Sequence, residues 1–452
     1  MIDPLTAIRE AFELSPTKFE ALVKGFQQEY NTGLTTSSAE IATMIPSYVT
    51  RMPNGKEKGT FLALDLGGST LRVSAVNLLG EGEVKVTEVR RAIAVADPLR
   101  TGTSDAFFDW IVEAVDELLS KINTHTPLSM GVCWSFPIDQ TGISTGTILR
   151  MGKGFDIKGI EGKDLNILFQ EAFKRKAINV TVTAILNDTV GTLVAHAYTH
   201  PQARIGFIYG TGVNAAYPEK VSRIQKLKNH NMGPDVEMLI NTEIDIFGNE
   251  SYLPLNRFDL ALDATHSQPK FQLYEKMMSG AYLGELTRLA SLELIASGDL
   301  FKGNIPNQFK NPWDFSSASV SILESNAVTR WEDQKVAVET LLTFENEYQL
   351  SATDLSLLIQ VAHLISDRAA RLAGGAMVSL LEQQKINLSE TDPIVIGVNG
   401  SVYELYPQMP ERIQQSLIDW FGPTISSRLQ ISLATEGGSI GGALIAMLYQ
   451  PR

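Results

Sequence analysis

Two apolar strands, each ending on a glycine cluster, constrain this chain more than any other feature. Phe61-Leu62-Ala63-Leu64-Asp65-Leu66 is nearly continuous in apolar character and stops at Gly67-Gly68, and Arg204 to Tyr209 repeats the pattern and stops at Gly210-Thr211-Gly212. A strand that is apolar along most of its length is buried on both faces, the condition of a central strand in an α/β sheet. After each turn the chain resumes as strand, at Leu71–Leu79 and Val84–Ile93 in the first block and at Val213–Tyr217 in the second. Helical periodicity follows, from about Asp105 to Ile122 in the first block and at about 270–296, 354–383 and 408–421 in the second. Strand, glycine turn, strand, then helix, occurring twice, predicts two similar α/β units facing each other, the C-terminal one larger and richer in helix.

Composition narrows the function classes. With 452 residues and 44% hydrophobic content, the chain can bury two or three large cores and is not disordered. Lys and Arg number 38 against 51 Asp and Glu, a formal charge of −13, which argues against a surface that neutralises nucleic-acid phosphates. Cys133 is the single cysteine, so neither an internal disulfide nor a cysteine-based zinc site is available. Beside Trp134 in a predicted strand, it reads as a small buried hydrophobe. The start, Met1-Ile2-Asp3-Pro4 followed by Glu10 and Glu13, lacks the basic and apolar regions of a targeting peptide. No run approaches the ~20 apolar residues needed to cross a bilayer; Ile440–Leu448 is short and carries two glycines. The expectation is a soluble, cytoplasmic protein that binds neither membrane nor nucleic acid.

Leu5, Ile8, Phe12, Phe19, Leu22, Val23 and Phe26 make residues 5–29 an amphipathic helical pattern, and Arg51–Lys58, with Pro53, Asn54 and Gly55, reads as an exposed turn. His125, His196, His200, His230, His266 and His363 lack metal spacing as a set. His196 and His200 fall four apart on one predicted helix but have no carboxylate partner motif, so a structural role is expected.

The glycine turns carry the first chemical signal. Glycine permits φ > 0 and lets backbone N–H groups approach an anion, and Ser69 and Thr70 add hydroxyl donors. Each turn alone is equally well a tight connection. In matching positions of a duplicated unit, the two could clamp a polyphosphate from both sides of a cleft, so that an acidic protein holds a nucleotide by oriented amides. Ala184-Ile185-Leu186-Asn187-Asp188-Thr189 then runs from an apolar strand into the helical pattern Val190–Tyr198. Asp188 at that junction reads as the helix N-cap, and equally as a carboxylate held beyond a strand's C-terminal end. Phosphoryl transfer to an alcohol suits such a group, because proton loss comes late in a loose transition state and positioning dominates.

At this level of detail the chain resembles the eukaryotic hexokinases over nearly its whole length. Leu64-Asp65-Leu66-Gly67-Gly68-Ser69 is similar to the first phosphate motif of that family, Ser135-Phe136-Pro137 to its sugar loop, and Leu186-Asn187-Asp188-Thr189-Val190-Gly191-Thr192 to the segment with the catalytic aspartate. Gly210-Thr211-Gly212-Val213-Asn214-Ala215 resembles the second phosphate motif. Asn241-Thr242-Glu243, Tyr274-Glu275-Lys276-Met277 with Ser279-Gly280, and Gly400-Ser401-Val402-Tyr403 follow in family order. The resemblance implies two actin-like (ribonuclease-H-like) domains closing over a central cleft: a small one at about 45–187 plus a C-terminal helix near 439–452, and a large one at 188–438 plus an N-terminal helix near 1–44.

The same resemblance implies ATP-dependent phosphorylation of a hexose at its 6-hydroxyl, with Asp188 as base and Lys153 beside the transferred phosphoryl. Ser135, Lys153, Asn187, Asp188, Asn214, Glu243 and Glu275 would bind the sugar. Asp65, Gly67, Gly68, Ser69, Thr70, Gly210, Thr211, Gly212, Ser317, Ser321, Gly400 and Ser401 would line the nucleotide. Mg²⁺ would arrive on ATP, with Asp65 reaching it through water and no direct protein ligand. The implied assembly is a monomer or weak homodimer.

Departures from the family pattern cluster near these ligands. Thr70 stands where Asn is usual, and Met151-Gly152-Lys153-Gly154-Phe155 replaces Trp-Thr-Lys-Gly-Phe. Ile244-Asp245-Ile246-Phe247-Gly248 replaces Trp-Gly-Ala-Phe-Gly, Asn399 replaces Asp, and Glu436-Gly437-Gly438-Ser439 replaces Asp-Gly-Ser-Gly. A changed sugar preference, such as N-acetylglucosamine, is one reading, and a non-catalytic sugar sensor is another. An ATP-driven chaperone or filament of the same fold is a third, opposed by Ser135, Glu243 and Glu275.

Overall fold

The computed structural model describes residues 3–37, 40–124, 126–227, 232–325, 331–345, 348–386, 392–434 and 437–451. His125, His230 and Glu436 lie outside the described residues. In chain order the strands are β1 (Ile45–Pro46), β2 (Lys58–Leu66), β3 (Thr70–Gly80), β4 (Glu83–Ala92), β5 (Leu128–Trp134), β6 (Ile138–Gly142), β7 (Thr145–Ile148), β8 (Val180–Leu186), β9 (Ala203–Tyr209), β10 (Val213–Lys220), β11 (Glu237–Asn241), β12 (Ile394–Asn399) and β13 (Leu429–Leu433). One sheet has the order β4-β3-β2-β5-β8 and a second has β1-β11-β10-β9-β12-β13, while β6 and β7 form a separate hairpin. Setting β1 aside, the two sheets share one plan. A three-strand antiparallel meander (β2-β3-β4; β9-β10-β11) is joined by two strands parallel to its first member (β5, β8; β12, β13). The duplicated pattern in the sequence is therefore a duplicated topology.

Both central strands are as buried as their composition requires: Leu62, Leu64 and Leu66 in β2 and Ile205, Phe207 and Tyr209 in β9 are fully enclosed. The first sheet is covered by Ser104–Lys121 and Leu165–Arg175. Ser104–Lys121 starts where the Thr103 hydroxyl accepts the Ala106 N–H and buries Phe107, Phe108, Ile111, Val112, Val115 and Leu118, the i, i+3, i+4 stripe of an amphipathic helix. The second sheet carries most of the remaining helices, including the long Ala352–Gln383, which opens on a reciprocal Ser351–Asp354 capping box. A third cluster joins the sheets, with Ala63, Cys133 and Leu186 from the first, Ala203, Ala216 and Leu239 from the second, and Leu193 and Leu444 from the helices Asp188–Thr199 and Gly442–Leu448. Cys133 is fully buried there, as the small hydrophobe expected.

Several expected helices are divided. The N-terminal pattern is two helices, Pro4–Phe12 and Pro16–Thr35, each with its own N-cap (Asp3, Ser15) and a proline in its first turn, where proline starts a helix rather than continuing one. The 270–296 segment is Leu273–Met278 and Leu283–Ala296, broken at Ser279-Gly280, where the N–H groups of Gly280 and Ala281 leave the helix to bond the Gly210 and Thr211 carbonyls. The 408–421 pattern extends over Met409–Ser426 with a bend at Gly422 (φ +76) and Pro423. The last helix is only Gly442–Leu448, preceded by a wider helical turn at Gly437–Gly441.

That last segment packs backbone to backbone. A Cβ on Gly131 would meet the Gly442 carbonyl oxygen at 2.1 Å, and one on Gly441 would meet that of Gly191 at 2.1 Å. Glycines at both contacts are what allow the C-terminal segment to cross β5 and the helix Asp188–Thr199. Among the described residues no helix is long and apolar enough to cross a membrane.

Candidate active site

The parallel register aligns three strand ends. Leu66 lies opposite Trp134 and Cys133 opposite Leu186, so Gly67, Ser135 and Asn187-Asp188 leave the first sheet at one edge. Such carboxyl edges are where α/β sheets hold ligands. Asn187 is the N-cap of the following helix, its Oδ1 accepting the Thr189 N–H at 2.9 Å and the Thr189 hydroxyl at 2.6 Å. This corrects the expectation that Asp188 is the cap. Asp188 is the first helical residue, with the backbone amides of Asp188 and Thr189 beside its carboxylate. Burial pushes its pKa up to about 6, Asp65 adds repulsion, and Lys153 with the two amides offsets part of the rise. The Asp65 pKa is raised as well, first by burial, against the opposing pull of Arg72, a hydrogen bond from the Cys133 thiol, and Lys153. Asp65, Cys133, Lys153 and Asp188 thus form one electrostatic cluster.

The glycine turns work differently from the expectation. None of Gly67, Gly68, Gly210 and Gly212 occupies the left-handed region; close approach is the reason for glycine at Gly68, Gly210 and Gly212, while a Cβ on Gly67 would meet nothing nearer than 3.8 Å. A Cβ on Gly68 would stand 3.1 Å from Lys153 Cδ, and one on Gly212 would stand 2.6 Å from Glu275 Oε2. The Gly67 N–H donates to the Thr70 carbonyl at 3.0 Å, closing the first turn. Around the second turn, the N–H groups of Gly280 and Ala281 donate to the carbonyls of Gly210 and Thr211 at 2.8 and 3.0 Å, and the Ser279 hydroxyl donates to Thr211 at 2.9 Å. Gly400 (φ +131) packs on the Tyr209 carbonyl, where a Cβ would come within 2.4 Å, and the Ser401 N–H lies beside Gly210. Ser317 accepts the Gly284 N–H of the helix Leu283–Ala296 at 3.1 Å, and among the described residues no hydrogen bond ties it to the glycine turn. Ser321 sits one turn further along its helix, and among the described residues no hydrogen bond ties it to the glycine turn.

Facing these turns is a carboxylate and amide cluster. Glu275 Oε2 accepts the Val213 N–H at 3.0 Å. Asn214 Nδ2 donates to Asn241 Oδ1 at 3.0 Å and to Glu243 Oε1 at 3.2 Å, and Asn241 Nδ2 donates to the same Glu243 oxygen at 2.6 Å. Gln272 Nε2 donates to Asp245 Oδ2 at 2.7 Å. Burial raises the Glu243 pKa, with Asp245 and then Asp188 adding to it against the donors on Asn241 and Asn214. Burial and Asp245 push Glu275 up to about 7. Carboxyls that titrate near neutrality, set among amides, can both donate to and accept from ring hydroxyls. The Asp188–Glu243 repulsion and a 3.4 Å hydrogen bond from the Thr189 hydroxyl to Asn241 connect this cluster to the base-bearing helix.

Arg100, Asn241, Asp245 and Gln272 were not among the expected site residues. Asn241 and Asp245 flank Thr242-Glu243 in the sequence, so proximity along the chain was an available signal. Arg100 and Gln272 gave none. The histidine pair is structural: the rings of His196 and His200 stack at 4.3 Å, and His196 Nε2 shares a 2.9 Å hydrogen bond with Ser432. Among the described residues no cluster of three or more His, Cys, Asp or Glu is placed to hold a metal ion.

A duplicated β-meander sheet, two glycine turns and a carboxylate between them define a phosphotransferase of the actin-like α/β class. Two hexokinase family models match, one over residues 4–198 and one over 204–448. The chain is 35% identical to the hexokinase of Kluyveromyces lactis, covering 100% of this chain and 93% of that protein. It is 34% identical to hexokinase-1 of Schizosaccharomyces pombe, covering 99% and 90%. The solved structure of Schistosoma mansoni hexokinase complexed with glucose superposes with a TM-score of 0.82 at 30% identity, over 98% of this chain and 97% of that one. This chain belongs to the hexokinase family, and it is an ATP-dependent hexose kinase.

Proposed function

We propose that the protein transfers the terminal phosphoryl group of ATP to the 6-hydroxyl of a glucose-type hexose, with Asp188 taking the hydroxyl proton. The observation that carries this reading is the Asp188 carboxylate: Asn187 supplies the cap, and Asp188 interacts with Lys153 on the phosphoryl side and Glu243 on the sugar side. Asn187, Asn214, Glu243 and Glu275, with Ser135 at the strand edge, bind the ring hydroxyls. Lys153 offsets charge on the transferred group. Gly67 to Thr70, Gly210 to Gly212, Gly400-Ser401 and Ser317 approach the nucleotide phosphates, and Ser321 is the most peripheral member of that set. Mg²⁺ carried on the nucleotide would neutralise phosphate charge, and Asp65 is the residue that would face it through water. The two sheets support a small unit closing on a large one near 45–187 and 188–438. Because Ile45–Pro46 pairs with β11, we place the start of the small unit nearer Lys58.

A second sugar reading rests on Gly152, where a Cβ would have no heavy atom within 4 Å. That opens space for a 2-acetamido group on one side of the ring. Ile244 is fully buried in the large core, and Asp245 is engaged by Gln272, so the other departures open none. A glucose-type sugar is therefore the first choice and N-acetylglucosamine the second. Coupled ADP release across glucose, fructose, mannose and N-acetylglucosamine tests both, and Asp188→Ala is expected to abolish turnover while sugar still binds. A folded protein that binds sugar yet releases no ADP with any of the four would instead be a sensor.

A further inference from the structure

Arg100 is 4% exposed, yet its guanidinium is bonded to backbone carbonyls rather than to an acid. Nη2 donates to Gly68 at 2.7 Å and to Ile93 at 3.0 Å, Nη1 donates to Lys153 at 2.8 Å, and Nε donates to Ala94 at 2.7 Å. The carbonyl of Arg100 accepts the Asp156 N–H at 2.7 Å, and its Cζ stands 4.3 Å from the centre of the Phe155 ring. The Ile93 N–H in turn donates to Ser69 at 2.8 Å, so the Ile93 contact also leads to the first glycine turn. One side chain thus spans the Gly67-Gly68 turn and the Lys153 loop. That loop needs an external hold: Lys153 has φ +57 and Gly154 φ +80, and a lysine in the left-handed region persists only where its surroundings over-determine it. A planar fork with five donors can make these bonds at once, which an ammonium cannot.

We propose that Arg100 is a positioning residue for phosphoryl transfer, fixing the Lys153 ammonium against the amides of the first glycine turn. The proposal rests on the reading of Lys153 and that turn as the phosphoryl side of the site. Its hydrogen bonds reach none of Asn214, Glu243 and Glu275, so the effect belongs to kcat and the ATP KM and not to sugar affinity.

The test compares Arg100→Met and Arg100→Lys with Arg91→Met, whose Nη1 likewise donates to a backbone carbonyl, that of Trp110, at 3.0 Å. Arg100→Met is expected to lower kcat by at least about 30-fold and raise the ATP KM, with the sugar dissociation constant from tryptophan quenching within about twofold. Arg100→Lys is expected to recover part of the loss, and it carries the test if the methionine variant does not fold. Arg91→Met keeps the kcat of the parent. Hydrogen exchange without substrate, over residues 66–70 and 150–156, is expected to accelerate in Arg100→Met and not in Arg91→Met. Losses of rate and sugar affinity that both track thermal stability, or unchanged exchange at parental kcat, would overturn the proposal. Absence of hexose-dependent ADP release from the parent protein overturns the kinase reading instead, and the exchange comparison still decides whether Arg100 holds the loop.

Discussion

The raised pKa of Asp188 makes the acid limb of the pH–rate profile the sharpest test of the site. Its rise from 3.8 to about 6 comes first from burial and then from Asp65, and about 2 units correspond to ~3 kcal/mol against the ionised form. A base must be ionised to accept a proton, and the free enzyme's pKa is read in kcat/KM, so kcat/KM for the sugar falls as pH drops through 6. Roughly nine-tenths of the plateau rate should remain at pH 7 and one-tenth at pH 5. Asp65→Asn removes a like charge and should move the limb to lower pH by up to about one unit, the effect of ~1.4 kcal/mol of repulsion at an effective dielectric of ~20. On the role proposed for Asp65 the plateau falls as well, so the position of the limb is the quantity read, not its height. The assay is steady-state kcat/KM for the sugar from pH 4.5 to 8.5, with coupling enzymes in excess at every pH. A kcat/KM that is flat down to pH 5, or a limb that moves upward in Asp65→Asn, would refute the electrostatic argument.

The same shift predicts the sign of a stability effect. The folded chain keeps a proton on Asp188 between pH ~4 and about 6, where the unfolded chain has lost it, so this group's contribution falls as pH rises through that window and is level above it. Asp188→Asn should therefore stabilise the ligand-free protein at pH 7.5, by at most ~3 kcal/mol, while abolishing turnover. For a cooperative unit of this size that is no more than ~3 °C in Tm. Partial access of the carboxylate to the cleft makes the figure a ceiling.

Three further outcomes follow from the geometry. Lys153→Met should lower kcat by ~10²–10³-fold and leave the sugar KM within a few-fold, measured by the same coupled assay. Gly441→Ala places a methyl 2.1 Å from the Gly191 carbonyl oxygen and should cost about 3 kcal/mol or prevent folding, read by urea denaturation. Cys133 is fully buried, and its thiol is held well above the usual range by burial and by Asp65 and Asp188; it should resist a disulfide reagent such as DTNB at pH 8 until the protein is unfolded.

Which parts of this architecture the sequence disclosed follows from the range of the interactions involved. The β2 and β9 strands were legible because burial on both faces needs only local composition, and the duplication appeared as two copies of one strand-and-glycine pattern. The break at Ser279-Gly280 was not, because helical periodicity continues across it and the cause is the Gly210 backbone, about seventy residues away. Arg100 was illegible for a related reason: its partners are main-chain carbonyls, which any sequence supplies. The glycine turns were found for a partly wrong reason, since the residue type predicted a special φ and the structure uses the missing side chain.

The segment Asn187–Thr192 shows why its aspartate could be singled out at all. Asn187 caps the helix, Thr189 bonds to both Asn187 and Asn241, Gly191 admits the Gly437 carbonyl, and the Thr192 hydroxyl donates to the Asp188 carbonyl at 2.9 Å. Each of those tasks accepts few residue types, so together they make an unusual local string. Asp188 is the exception: a hydrophobic cluster encloses the strand before it, and its carboxylate gains no cap for the cost of burial. A residue whose burial outweighs the favourable pull of Lys153 and two amides, so that its pKa rises to about 6, is poorly explained by folding. It is well explained by a reaction that needs a carboxylate ionised at neutral pH, yet basic enough to accept a proton from an alcohol.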